Sequence, residues 1–166
     1  MEFSEDAVVE GITASQARIA FLDMDLIVQA HPLLKSWRLV SSENRGSLIL
    51  SHIELVDKIM GFDVVYQADM IFDPLDPTGD IQFNSEAALS IKVCHTYSFR
   101  DSESSAVVSD HVSVQYGWIS FALFFFVNST VRSATRQVLD NMRSIIQEKS
   151  AASADTSIQM LSQESA

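Results

Sequence analysis

AVVSDHVSVQYGWISFALFFFVNSTVRSATRQVLDNMRSIIQE, residues 106–148, changes its hydrophobic period at Gly117. Before Gly117 apolar and polar residues alternate, as expected for a strand with one buried face. After Gly117 the apolar residues recur every three or four positions, about 3.7 on average, as one helix face requires. These helix positions are Ile119, Leu123, Val127, Val131, Ala134, Val138, Met142 and Ile145. The segment therefore predicts a strand followed by a long helix with one buried stripe.

Upstream of this segment the sequence has the pattern of further strands. Residues 62–72 alternate most clearly, with Tyr66, Ala68 and Met70 on one face and aspartates on the other. Turn residues separate the strands, which are predicted at 3–12, 33–42, 47–59, 62–72, 80–87, 91–99 and 106–116. In 47–59 both faces are equally apolar, so the side of the sheet to which His52 and Glu54 belong stays open.

The predicted order is one strand, two short helices within residues 13–30, six strands and the long helix. This order indicates an α+β fold in which an antiparallel sheet of about seven strands packs against the C-terminal helix. We find no internal repeat and no linker, so residues 1–149 form one predicted domain. The Ser-, Ala- and Gln-rich residues 150–166 are predicted to be a disordered tail.

Charge and composition limit the partners. A net charge of −11 opposes binding to nucleic acid or to anionic membranes. The longest apolar run, residues 118–127, is about half the length that spans a bilayer, so stable membrane insertion is not expected. Cys94 is the single cysteine, and the acidic N-terminus does not have the pattern of a secretory signal. These features predict a cytoplasmic protein.

The order of elements resembles that of the START-like, or Bet v 1-like, superfamily, which also holds polyketide cyclases and lipid-transfer domains. Two stretches, AFLDMDLIVQAHP at 20–32 and HIELVDKI at 52–59, are similar to a little-characterised fungal branch. Some members of that branch are associated with natural-product pathways. The resemblance implies a helix-grip fold, in which a curved sheet wraps around the helix and a cavity between them holds a small hydrophobic molecule.

Two polar side chains are predicted to face this apolar interior. If the last hairpin turns at Ser102-Glu103, His95 lies opposite Asp110 and both point inward. His95 is then a candidate general base that Asp110 orients, and Tyr97 on the same face is a candidate hydrogen-bond donor. A structural pair that fixes strand register is the alternative. A one-residue error in the turn is expected to break the pair and to bring His111 inward.

Further side chains on the predicted inner faces, or near the start of the helix, are expected to line the pocket, although core packing remains the alternative for the tyrosines. They are Tyr66, Met70, Phe83, Val108, Val112, Tyr116, Trp118, Phe121 and Leu123. The four histidines have no spacing typical of a metal site, and no glycine-rich phosphate loop is present. We therefore expect no metal and no cofactor.

These observations support three hypotheses. The first is a cofactor-independent cyclase or isomerase of a hydrophobic polyketide or terpenoid intermediate, including pericyclic reactions such as a Diels-Alder reaction. The second is a non-catalytic carrier or sensor of a lipid or hydrophobic metabolite. The third is an interaction protein that forms a homodimer through residues 118–126.

Overall fold

The computed structural model describes residues 1–59, 61–87, 90–117 and 124–163. Strand β1 (Glu2–Glu10) is followed by helices α1 (Ala14–Leu22) and α2 (Met24–Ala30). Six strands come next: β2 (Leu34–Arg45), β3 (Leu48–Ile59), β4 (Phe62–Phe72), β5 (Ile81–Ala87), β6 (Ile91–Ser102) and β7 (Ser105–Gln115). Helix α3 (Phe124–Gln163) ends the described chain. This is the α+β order that the sequence predicts.

The seven strands form one curved antiparallel sheet in the order β1-β7-β6-β5-β4-β3-β2. Consecutive strands from β2 to β7 pair as hairpins, whereas β1 crosses to the far edge and pairs with β7. Helix α3 packs against β1, β7 and α2. The sheet thus holds the helix on its inner face, and the helix-grip prediction is confirmed.

The hairpin of β6 and β7 turns one residue later than predicted. Ser102 pairs with Ser105, so the turn is Glu103-Ser104, and Glu103 adopts a positive φ of 45°. A shift of one residue in the turn centre moves the pairing by two residues, which leaves every side chain on its predicted face. Asp110 therefore stays inward opposite Tyr97, and the expectation that such an error would bring His111 inward is wrong.

Local capping signals begin the two short helices, of which α1 contacts β6 and β7 and α2 contacts β2 and α3. Thr13 and Gln16 form a capping box at the start of α1, and the carboxylate of Asp23 accepts the amides of Asp25 and Leu26 at the start of α2. At the end of α2, the side-chain amide of Asn141 on α3 donates to the carbonyl of Ala30 at 2.7 Å. This contact fixes the next residue, His31, relative to α3.

The core is densely filled where α1 meets the sheet. Phe21 of α1 packs on Tyr97 and Phe99 of β6, with ring centroids 5.0 and 5.6 Å away. Ala14 and Ala17 are fully buried, since small side chains let α1 approach the sheet closely. Arg18 is buried beside them because its guanidinium donates to two carbonyls, those of Asp73 and Gly79, at 2.7 Å each.

Helix α3 presents its predicted stripe to the sheet. Ala134, Val138 and Met142 are buried, and Ile146 is buried more deeply than Ile145. The helix continues through residues 150–163, for which composition predicts disorder. Ala, Gln, Met and Leu favour helix, and extending an existing helix avoids the cost of nucleation. None of the described helices is long and apolar enough to span a membrane.

Candidate functional site

A cavity of about 250 Å³ lies between the inner face of the sheet, helix α2 and helix α3. Its wall is mainly apolar. The apolar residues come from all three sides and include Met24, Ile27, Leu34, Leu55, Phe83, Val93, Val131 and Val138. A cavity of roughly 150 Å³ holds benzene, so this one suits a molecule of about two fused rings.

His95 and Asp110 form the first polar group of the cavity. Nδ1 of His95 lies 2.8 Å from Oδ2 of Asp110, although the two residues are diagonal neighbours rather than directly opposed. Asp110 is 1% exposed, and His95 is 24% exposed and lines the cavity. A carboxylate accepts hydrogen bonds, so Nδ1 carries a proton and a neutral His95 has its free electron pair on Nε2.

Tyr97 completes this group. Its ring stacks on His95, with centroids 5.9 Å apart and planes inclined by 12°, and it lines the same cavity. Burial raises the pKa of the Tyr97 phenol well above its usual range, and the nearby Asp110 carboxylate acts in the same direction. The phenol therefore stays protonated.

His31, which the sequence analysis did not select, also lines the cavity. Its Nδ1 accepts the backbone amides of Leu33 and Leu34, at 3.3 and 2.9 Å. Burial lowers its pKa to about 4, and the neighbouring His95 acts in the same direction. His31 is therefore neutral near pH 7, with its proton on Nε2, where it is available for donation to a ligand. In the sequence, the available signal for His31 was its position directly after a predicted helix and before Pro32.

A second polar group lies on β3 and β4. The Tyr66 hydroxyl donates to Oδ2 of Asp57 at 3.0 Å, and both residues line the cavity. Asp57 is 7% exposed, and burial raises its pKa, although the Tyr66 hydrogen bond partly opposes that rise. Burial also raises the pKa of Tyr66. Sequence reasoning missed Asp57 because it left the faces of this strand undecided.

Some of the predicted pocket residues line the cavity, and others are packed in the hydrophobic core. Tyr66 and Phe83 line the cavity with His95 and Tyr97. Met70 and Val108 belong instead to the filled core, and Val112 packs in a separate cluster with Phe3 and Ile91. Tyr116 lies in that cluster too, and its hydroxyl donates to Asn128. These four positions are not among the residues that line the cavity, and their assignment to a ligand pocket stays a prediction.

Other predicted residues lie elsewhere. Trp118, Phe121 and Leu123 fall outside the described residues, as does most of the proposed homodimer surface, so these assignments stay predictions. His52 and Glu54 are on the outer face of β3, where they pair with Asp69 and Arg38. Within the described ranges, no group of three or more His, Cys, Asp or Glu is placed to hold a metal ion.

The fold is shared with solved structures of low sequence identity. A protein of Thermus thermophilus superposes with a TM-score of 0.72 at 12% identity, over 90% of this chain and 99% of the other. The ZhuI aromatase/cyclase of Streptomyces sp. R1128 gives 0.68 at 8% identity, over 90% and 94%. A START superfamily protein of Mycobacterium smegmatis gives 0.68 at 14% identity, over 89% and 97%.

These likenesses concern architecture. No family model and no curated protein matches the sequence. The structural neighbours include START and aromatase/cyclase proteins, and the resemblance to a fungal branch stays a prediction.

Proposed function

We propose that this chain, which has the helix-grip fold of the START-like superfamily, is a cofactor-independent cyclase or isomerase of a hydrophobic ketone bound in its cavity. The observation that carries the proposal is the His95–Asp110 hydrogen bond of 2.8 Å at the wall of an apolar cavity. A carboxylate that fixes the tautomer of a histidine leaves the other ring nitrogen ready to take a proton.

The reaction we propose is an intramolecular aldol-type cyclisation. Nε2 of His95 takes a proton from the carbon beside a ketone, and the electron pair of that C–H bond moves to form the enolate. The Nε2 proton of His31 forms a hydrogen bond with the enolate oxygen. The enolate carbon then attacks a second carbonyl carbon, forming a carbon–carbon bond, and the new alkoxide recovers the proton from His95.

Two observations favour proton transfer over a pericyclic reaction such as a Diels-Alder reaction. A pericyclic ring closure needs little more than a cavity that folds the substrate. This cavity is also lined by His95, whose Nε2 is a candidate base, and by His31, whose Nε2 is a candidate donor, because the Nδ1 atom of each ring is already hydrogen-bonded. The aromatase/cyclase among the structural neighbours adds support, since polyketides contain repeated ketones suited to aldol closure.

The second candidate is a carrier or sensor of a hydrophobic metabolite. The predominantly apolar wall of the cavity favours it, because binding alone needs no base. In that case His95 and Asp110 only fix the register of β6 and β7. Both candidates predict ligand binding, and they differ in whether His95 accelerates a reaction.

Deuterium exchange into 2-tetralone, a two-ring ketone, separates the candidates without knowledge of the natural substrate. We expect the protein to accelerate exchange at the carbon beside the carbonyl, measured by NMR in D₂O. Substituting His95→Gln should reduce that acceleration by about 100-fold or more, the usual contribution of a positioned base. His52→Gln is the matched control, because His52 makes the same kind of bond to Asp69 on the outer face.

Each outcome decides between the candidates. Exchange that requires His95 but not His52 supports the cyclase. If 2-tetralone binds but exchanges no faster than in buffer, the enzyme proposal is wrong and the result supports the carrier proposal. If both substitutions slow exchange equally, the assigned role of His95 is wrong.

A further inference from the structure

Asp57 is an unusual residue for the wall of an apolar cavity. It is 7% exposed and lies among the apolar side chains of Leu55, Val64 and Ile59. Its Oδ2 accepts the hydroxyl of Tyr66, whereas its Oδ1 is buried and finds no hydrogen-bond partner among the described residues. The residue therefore lines the cavity with a carboxylate that has one satisfied oxygen and one buried oxygen without a partner.

Such an arrangement lowers the stability of the protein. Burying a polar atom without a partner costs free energy, and a leucine here would bury more favourably. The ion pairs of the described residues give Asp57 no cation, and the nearby Lys35 pairs with Asp63 at 2.8 Å. A buried polar atom with unused capacity requires an explanation, and a ligand group provides one.

The two polar groups of the cavity lie far apart on the sheet. Across the sheet, His95 of β6 pairs with Phe83 of β5, which pairs with Met70 of β4, which pairs with Ser51 of β3. On β3, the position in line with His95 is therefore Ser51. From Ser51 to Asp57 the strand advances by about 20 Å at 3.3 Å per residue. Because the sheet is curved, the straight-line separation is shorter than this path, and Asp57 and Tyr66 lie toward a different end of the cavity from His95.

We propose that Asp57, positioned by Tyr66, binds a hydroxyl group of the ligand at the end of the cavity away from His95. The inference rests on the proposed function and narrows the ligand to a hydrophobic hydroxy-ketone. A hydroxyl fits better than an ammonium group because it both donates and accepts. It therefore pairs with the carboxyl in either protonation state, and burial raises the pKa of Asp57 toward the neutral state.

A pair of two-ring probes tests this assignment. 2-Naphthol and 2-methylnaphthalene have nearly the same shape, differ in one hydroxyl and are both fluorescent, so fluorescence titration gives both dissociation constants. We expect the wild type to bind 2-naphthol about tenfold more tightly, as one additional hydrogen bond allows. Asp57→Leu should remove this preference, and Asp57→Asn should reduce it severalfold.

The matched control is Asp69→Leu, which removes a carboxylate from the outer face of the neighbouring strand and should leave the preference unchanged. Thermal unfolding checks that each variant folds, and Asp57→Leu should unfold at a temperature no lower than the wild type.

The outcomes separate this inference from the proposed function. If neither probe binds the wild type, ligand binding itself is wrong. If the wild type binds both probes equally, Asp57 is not the hydroxyl site. The same conclusion follows if the preference for 2-naphthol survives Asp57→Leu and disappears in His95→Gln. In both cases the proposal that the cavity binds a ligand stands. Loss of the preference in Asp57→Leu with its retention in Asp69→Leu supports the inference.

Discussion

Among the described residues, two hydrogen-bonded His–Asp pairs lie on opposite faces of one sheet. His52 Nδ1 lies 2.6 Å from Asp69 on the outer face, and His95 Nδ1 lies 2.8 Å from Asp110 on the inner face. The side chains of the outer pair are 41% and 44% exposed, against 24% and 1% for the inner pair. Nearly identical contacts thus occur in water and at the wall of an apolar cavity, which shows that environment rather than residue type makes a candidate site.

The largest expected difference between the pairs is in stability. Asp110→Ala leaves His95 without its buried acceptor, and we expect it to lower the free energy of unfolding by about 3 kcal/mol. Asp69→Ala removes a solvated partner, and its cost should be below about 1 kcal/mol. Urea unfolding of both variants measures the difference. Equal losses would show that the inner pair is no more tightly coupled than the outer pair.

The pH dependence of stability extends the comparison to His31. Its pKa is about 4 in the folded protein, against the ordinary histidine value of 6.5 in the unfolded chain. Between these pH values the unfolded chain binds a proton that the folded chain does not, so stability is lost as pH falls through this window. The expected loss is about 3 kcal/mol over the full window, at 1.36 kcal/mol for each pH unit.

His31→Gln should remove this loss, whereas His52→Gln should retain it, and urea unfolding at pH 7 and pH 4.5 compares the three proteins. Asp57 contributes a trend of opposite sign, because its pKa is raised, but it is present in all three and cancels in the comparison. A profile that is unchanged by His31→Gln would refute the buried neutral state of His31.

The smallest expected difference between the two pairs is the effect of salt on their coupling energies. In a double-mutant cycle with alanine, the coupling between His52 and Asp69 should be about 0.5 kcal/mol at low salt and approach zero in 1 M NaCl, because exposed charges are screened. The coupling between His95 and Asp110 should change little. A salt-independent outer pair would contradict the distinction drawn from exposure.

Part of the site was predictable because strand faces follow from local alternation. His95, Tyr97 and Asp110 share one face in both the predicted and the observed hairpin, since the turn centre differs by one residue and the register by two. His31 and Asp57 were not predicted. The role of His31 depends on a neighbouring loop and on His95, and that of Asp57 on a strand whose two faces are similarly apolar. Asp57 has an odd residue number, as do Ile53 and Leu55, so all three side chains lie on the same face of β3. This alternation was a signal for the inward direction of Asp57 that the sequence-based prediction did not use.

The sequence alone determined the order of the elements, the long amphipathic helix and the inward face of β4, β6 and β7, because hydrophobic period is a local property. Only the tertiary structure decided the inward face of β3 and the boundary between core and cavity. Met70 and Val108 have the same apolar character as Phe83, yet they are packed in the core while Phe83 lines the cavity. That difference depends on how far α1, α2 and α3 stand from the sheet at each point, which no single segment encodes.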